Sequence, residues 1–192
     1  MRRYATVLFL AWSAVSNDAH SQSDRKAEAA ALRPWVGASI GISALNLKCN
    51  TCQFDSNDAG GHTIALGLGV SLRGVWEIGI VRRSFTESFE APAIRSVAYL
   101  ATTQYVIAER FSTQGVVRGA VGFEQYRAGS LTARANVFGG GLGLVFNPRA
   151  HVSPTIFYDQ SLLRGRMAAD GVLPGGEATG GRKGFSAGLT VR

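Results

Sequence analysis

The chain has 192 residues, of which 24 are glycine and only 17% are charged, and its formal net charge is +7. That length suits one domain, and abundant glycine with little charge favours many short strands over a helical bundle. The positive charge suggests anionic neighbours, but no basic helix or aromatic stacking platform is evident, which argues against nucleic acid.

The first residues have the pattern of a secretory signal peptide, which we place at residues 1–21. Arg2 and Arg3 give a positive start, an apolar run follows, and residues 19–21 form a small-x-small cleavage site. The apolar run is about ten residues, against the roughly 20 that a spanning helix needs, so we expect export and cleavage. Residues 22–33 are alanine-rich and charged, and they predict a periplasmic lead-in.

From residue 34 onward, apolar residues alternate with Gly, Ser, Ala or Thr at a period of two. In Thr63–Arg73 one face carries Ile64, Leu66, Leu68, Val70 and Leu72, and the other carries mostly small residues. A soluble sheet would need long polar side chains on its second face, whereas a small barrel in lipid needs little bulk inside. Residues 34–192 are therefore predicted to form an all-β, closed eight-stranded antiparallel transmembrane β-barrel with up-and-down topology.

The eight predicted strands follow one another along the chain. They are Trp35–Ala44, Thr63–Arg73, Val75–Arg83, Arg95–Ile107, Val116–Tyr126, Val137–Phe146, Val152–Gln160 and Gly184–Val191. A bilayer requires tilted strands of about 9 to 11 residues. The seventh is the least regular, because Pro154 removes a donor from the strand ladder.

The predicted connections alternate between short and long. The short ones are Arg73-Gly74, Ala108–Gln114 and Asn147–Ala150, and the long ones are Cys49–Gly61, Ser84–Ile94, Arg127–Asn136 and Leu162–Arg182. Outer-membrane barrels have short periplasmic turns and long external loops. Both termini are therefore expected in the periplasm.

Glycines at the strand centres, in Gly67-Leu68-Gly69 and Gly141-Leu142-Gly143, complete the pattern over residues 35–192. This pattern resembles the small eight-stranded outer-membrane proteins of the OmpA and OmpX type. The resemblance implies a monomer in the cell outer membrane, inserted by the barrel-assembly machinery, with outer-membrane lipid and lipopolysaccharide as partners. It implies a structural or surface-interaction role, without a cofactor or enzymatic activity.

The interior of an eight-stranded barrel is filled by its own side chains, so an open pore is not the default. The polar residues predicted to point inward are Arg73, Glu77, Gln104, Arg118, Glu124 and Asp159. Buried charges need partners, so Arg118 is expected to pair with Glu124 or Glu77. A narrow ion path through this cluster is the alternative.

Many basic residues fall on the predicted external rim or loops, among them Lys48, Arg82, Arg83 and Arg95. Arginine forks suit the phosphate oxygens that lipopolysaccharide presents at that level. The predicted phosphate contacts are Arg127, Arg134, Arg164, Arg166, Arg182 and Lys183. Ordinary loop solubility with snorkelling at the interface is the alternative.

Cys49 and Cys52 lie in the first predicted external loop. In an oxidising compartment this spacing predicts a small disulfide. A redox role would need a helix N-terminus to lower the thiol pKa, and zinc would need two further ligands where only His62 is close in sequence. No metal site is predicted.

Two other functions deserve comparison with the barrel hypothesis. His151-Val152-Ser153 is superficially similar to the His-x-Ser of lipid A deacylases, but it follows the Asn147-Pro148 turn at the predicted periplasmic rim and has no acidic partner in view. A lipocalin-like periplasmic carrier would need an apolar interior and a polar exterior, the reverse of the observed pattern. Neither a lipid A-modifying enzyme nor a carrier is therefore favoured.

Overall fold

The structure is a computed structural model that describes residues 32–49, 54–87, 93–129, 131–169 and 172–192. The predicted signal peptide, most of the predicted lead-in and Cys52 lie outside these residues. No helix with the length and apolarity needed to cross a membrane is found among the described residues.

Eight antiparallel strands form the described domain. They are β1 (Arg33–Cys49), β2 (Phe54–Leu72), β3 (Trp76–Glu87), β4 (Arg95–Arg110), β5 (Thr113–Ala128), β6 (Leu131–Phe146), β7 (Val152–Ala169) and β8 (Val172–Val191). Each strand pairs with its neighbours in chain order, and β8 pairs with β1 to close the barrel. The predicted fold class is therefore confirmed.

Alternate residues of each strand point out of the barrel and are exposed. On paired strands β1 and β2, Ile40 lies directly opposite Ile64, and the two side chains are 68% and 57% exposed. On β4, Tyr99 is exposed outside the barrel, and Ala98 and Leu100 are buried inside. An outer surface of this kind contacts something other than water.

The strands extend well beyond their predicted ends on one side. β1 reaches Cys49 before β2 begins at Phe54, and β7 reaches Ala169 before β8 begins at Val172. The long loops predicted at residues 49–61, 127–136 and 162–182 are therefore wrong for most of their length, and the one at 84–94 is wrong over residues 84–87. Beyond the band of exposed apolar side chains the alternation reverses: outward residues become polar and inward residues such as Leu45 and Leu47 are apolar. The lipid-facing pattern therefore stops although main-chain pairing continues.

Tight turns join the strands at the opposite end, called here the short-turn end. Arg73 and Gly74 adopt positive φ angles of 55° and 66° between β2 and β3, and Asn147 has a φ of 48° after β6. The turn between β4 and β5 is shorter than predicted, because β4 continues to Arg110 and β5 starts at Thr113. The extended ends form the long-strand end.

A few large side chains fill the space that the inward glycines leave in the lumen. A Cβ atom at Gly79 would lie 2.5 Å from Cζ2 of Trp35, and one at Gly67 would lie 3.1 Å from its Cζ3. The ring of Phe157 occupies the corresponding space beside Gly143. The bare inner faces of the strands are therefore a packing requirement of a narrow, filled barrel.

Candidate functional site

Glu124 on β5 is fully buried in the lumen and is surrounded by donors. Nη2 of Arg182 lies 2.5 Å from its Oε1, and Nη2 of Arg83 lies 3.5 Å from its Oε2. Ser96 donates a hydrogen bond to Oε1 and accepts one from Arg182 at 3.1 Å. These four side chains, from β3, β4, β5 and β8, are called the Glu124 cluster.

Two members of this cluster correct the sequence-based assignments. Arg182 was expected to contact lipopolysaccharide, but its side chain is 3% exposed and lies 4.8 Å above the Phe85 ring inside the barrel. Arg83 was placed at the rim as well as at the inward-facing end of the third predicted strand, and the structure shows it inside, paired with Glu124. The alternation along each strand indicates the inward position of both side chains. Arg182 is two residues from the inward Gly184, and Arg83 is six residues from the inward Glu77, so each shares that residue's face.

A second group of polar side chains crosses the lumen towards the short-turn end. Nη2 and Nε of Arg192 both donate to Oε1 of Glu77, at 2.5 and 3.1 Å. Gln104 donates to the other Glu77 oxygen at 3.2 Å and accepts from Arg118 at 3.4 Å. Together with Asp159, these residues are called the Glu77 chain.

Arg118 does not form either of the ion pairs expected for it. Its charged partner is Asp159, with Nη1 and Oδ2 3.8 Å apart, and its guanidinium lies 3.5 Å from the centroid of the Phe157 ring. Glu77 and Glu124, the expected partners, pair instead with Arg192 and with Arg83 and Arg182. The sequence does not indicate these partners, because they come from strands distant along the chain.

Arg73 was also expected in the lumen and is not there. It lies in the turn after β2, with an exposed side chain. The alternation places it on the inward side only if the strand continues, and β2 ends one residue earlier at Leu72. The other predicted lumen residues, Glu77, Gln104, Arg118, Glu124 and Asp159, lie inside the barrel.

The outward arginines near the long-strand end form cross-strand pairs of like charge. Arg95 on β4 lies directly opposite Arg127 on β5, and Arg134 on β6 lies directly opposite Arg166 on β7. All four side chains are exposed. Arg164 is exposed as well and pairs with Glu177 at 3.1 Å.

Lys183 and Arg82 face outward at lower positions along the barrel wall. Lys183 lies opposite Gln160 on β7 and Ala44 on β1, two residues from the exposed Phe185. Arg82 lies between Leu66 and Tyr99 on the neighbouring strands. Both positions allow a long side chain to reach from apolar surface towards a polar boundary.

Ser153 has no catalytic arrangement with His151. The Ser153 hydroxyl is buried, donates to the carbonyl oxygen of Asn147 at 3.0 Å and accepts from Nη1 of Arg192 at 3.0 Å. His151 is exposed, and its Nδ1 lies 3.3 Å from the Arg192 carbonyl oxygen. Ser153 therefore connects the turn at Asn147 to the Arg192 side chain at the short-turn end of the lumen.

The sequence-based disulfide stays a prediction. The backbone of Cys49 ends β1, but its side chain and the whole of Cys52 lie outside what the structure describes. In the described part of the chain, no three His, Cys, Asp or Glu residues are grouped so that they could hold a metal ion.

Comparisons with known proteins identify the fold. No family model and no curated protein sequence matches the chain. The solved structure of the neisserial surface protein NspA is similar, with a TM-score of 0.64 and 10% sequence identity over 82% of this chain and 96% of that one.

Two further solved structures match less closely. The outer membrane protein OprG of Pseudomonas aeruginosa has a TM-score of 0.48 and 10% identity, over 83% of this chain and 96% of that one. The outer membrane enzyme PagL has a TM-score of 0.45 and 15% identity, over 82% of this chain and 99% of that one. With the closed eight-strand topology and the similarity to NspA, the chain has the fold of the small eight-stranded outer-membrane β-barrels.

Proposed function

We propose that this protein is an outer-membrane barrel with a filled lumen and that its outward arginines bind phosphate groups of lipopolysaccharide. Its role would be structural or surface-interactive, at the level where the barrel leaves the membrane. The observation that carries the proposal is the like-charged arginine pairs at the edge of an exposed apolar band.

The apolar band supports a position in a lipid bilayer. Its side chains are largely exposed, for example Leu162 at 66% and Leu142 at 59%. Aromatic pairs lie towards its two edges. Trp76 and Tyr105 pack with ring centroids 4.7 Å apart near the short-turn end, and Tyr99 and Phe123 pack at 5.5 Å towards the other end. Barrels in membranes carry such aromatic girdles at the interfaces.

The arginine pairs support an anionic ligand. Like charges directly opposite each other on paired strands destabilise a sheet by some tenths of a kcal/mol, up to about 1 kcal/mol. Arg95 and Arg127 are flanked across the strands by Thr86 and Thr132, which bring no negative charge. A phosphate between the two guanidinium groups would remove the repulsion and accept charge-assisted hydrogen bonds from both.

The test is binding of lipopolysaccharide to the refolded barrel in detergent. Replacing both Arg95 and Arg127 by Gln should weaken binding about tenfold or more, because at least one charge-assisted hydrogen bond is lost. The matched control replaces Arg73 and Arg110, two exposed arginines at the short-turn end, and should bind as the parent does.

The identity of the bound group is tested with dephosphorylated lipid. If the parent binds it as well as the phosphorylated form, or if the two double variants bind equally, phosphate recognition by the arginine pairs is refuted. Neither result would affect the membrane position, which depends on the apolar band.

A further inference from the structure

A small cavity separates the Glu124 cluster from the Glu77 chain inside the barrel. Its volume is about 70 Å³, and its walls include Arg83 and Arg182 on one side and Arg118 and Asp159 on the other. Serine, threonine, glycine and apolar residues, together with Gln160, complete the lining. This volume is enough for a small ion or a few water molecules.

The charged groups around the cavity do not balance. Arg83 and Arg182 share the single carboxylate of Glu124, and Arg118 is paired with Asp159. Among the described residues, three guanidinium groups therefore face two carboxylates, which leaves one positive charge in excess. An uncompensated charge away from bulk water costs several kcal/mol.

Several hydrogen-bond donors at the cavity also have no protein partner. Within the described part of the chain, Nε and Nη1 of Arg182, Nε of Arg83 and the hydroxyl groups of Ser43 and Ser161 are buried without a hydrogen bond. All four residues line the cavity. Buried donors of this kind are normally satisfied by an acceptor.

We propose that this cavity binds one small monovalent anion of the halide type, for which chloride is the natural probe. A halide would accept hydrogen bonds from the arginine and serine donors and would cancel the excess charge. Water would satisfy the donors but leave the charge, and a divalent anion would reverse it. This site lies inside the barrel and does not depend on the proposed contact with lipopolysaccharide.

The experiment measures the unfolding temperature of the barrel refolded at constant ionic strength while sodium chloride replaces sodium gluconate. Gluconate is a much larger anion than chloride and carries the same charge. The unfolding temperature should rise saturably, by about 5 °C at concentrations well above the dissociation constant, because the anion binds only the folded barrel. An unfolding temperature that is the same in the two salts would overturn the proposal.

Two variants locate the effect. Replacing Ser43 and Ser161 together by Ala should raise the half-saturating chloride concentration about tenfold, because two hydrogen-bond donors are lost. The control Ser71→Ala removes a buried serine that does not line the cavity, and it should respond to chloride as the parent does. An unchanged half-saturating concentration in the double variant would show that chloride acts elsewhere.

Glu124→Gln should change the half-saturating chloride concentration in the opposite direction from the serine substitutions. This substitution raises the excess positive charge beside the cavity, so the half-saturating chloride concentration should fall even though the protein becomes less stable. A purely structural ion-pair cluster predicts lower stability with no tighter chloride dependence. Should this variant not refold, the two serine variants still decide the question.

Discussion

At the scale of single residues, burial decides what an ion pair contributes. Glu124 and Glu177 both pair with arginine, but the Glu124 side chain is 0% exposed whereas those of Glu177 and Arg164 are 54% and 78% exposed. A surface pair is screened by water and contributes about 0–1 kcal/mol. Removing one partner from a buried pair leaves the other charge without compensation.

The matched substitutions Glu124→Gln and Glu177→Gln should therefore differ strongly. In chloride-free buffer, Glu124→Gln should lower the free energy of unfolding by about 3–5 kcal/mol, because Arg83 and Arg182 lose their carboxylate. Glu177→Gln should change it by less than about 1 kcal/mol. Denaturant titration of the refolded protein measures both values, and equal losses would contradict the buried assignment.

At the scale of the strand, the outer face of β6 changes character along its length. Phe138, Leu142 and Leu144 form the exposed apolar part of this face, with Leu142 between the other two, and Asn136 and Arg134 follow on the same face towards the long-strand end. The strand therefore contains a part suited to lipid and a part suited to water. The arginine pair of β6 and β7 lies in the second part.

Two substitutions on this one face test where the lipid boundary lies. Leu142→Arg should reduce the stability of the barrel in lipid vesicles by about 2–4 kcal/mol, the cost of arginine near the bilayer centre. Asn136→Arg adds the same side chain beyond the apolar band and should cost about 1 kcal/mol or less. Similar costs at both positions, measured by equilibrium unfolding in vesicles, would refute this boundary.

At the scale of the whole molecule, closure of the barrel leaves no strand edge unpaired among the described strands. The Glu124 cluster and the Glu77 chain cross the lumen at two levels, and their side chains come from five strands and from Arg192. The outer surface thus carries an apolar band, and the lumen is filled by these polar groups and by a buried apolar cluster that includes Leu45, Leu47 and Phe85. This arrangement suits a lipid environment and opposes free passage of solutes.

Refolding into liposomes should give a compact, protease-resistant band that shifts on heating in gel electrophoresis. Trapped sugars should leak from these vesicles no faster than from protein-free vesicles, since the filled lumen leaves no continuous passage. Rapid leakage would contradict a closed lumen. A protein that folds and stays soluble without detergent would instead revive the carrier hypothesis.

The sequence predicted the fold class, the number of strands and the side to which most residues point. It did so because each of these depends on a local period of two that the apolar and small residues display, as in Thr63–Arg73. The same parity places Arg182 inside with Gly184, although the sequence-based assignment gave it to the rim. The strand ends were less predictable, because beyond the lipid-facing band the apolar residues change to the inward face, as Leu45 and Leu47 do on β1.

Only the tertiary structure decided which charges meet. Strand pairing and barrel closure bring Arg182 of β8 and Arg83 of β3 to Glu124 of β5, and Arg192 to Glu77. No local pattern encodes such pairs, because contacts across a lumen depend on the register of all eight strands together. The cavity and its excess positive charge follow from the same closure, whereas the apolar exterior was already determined by the alternating sequence.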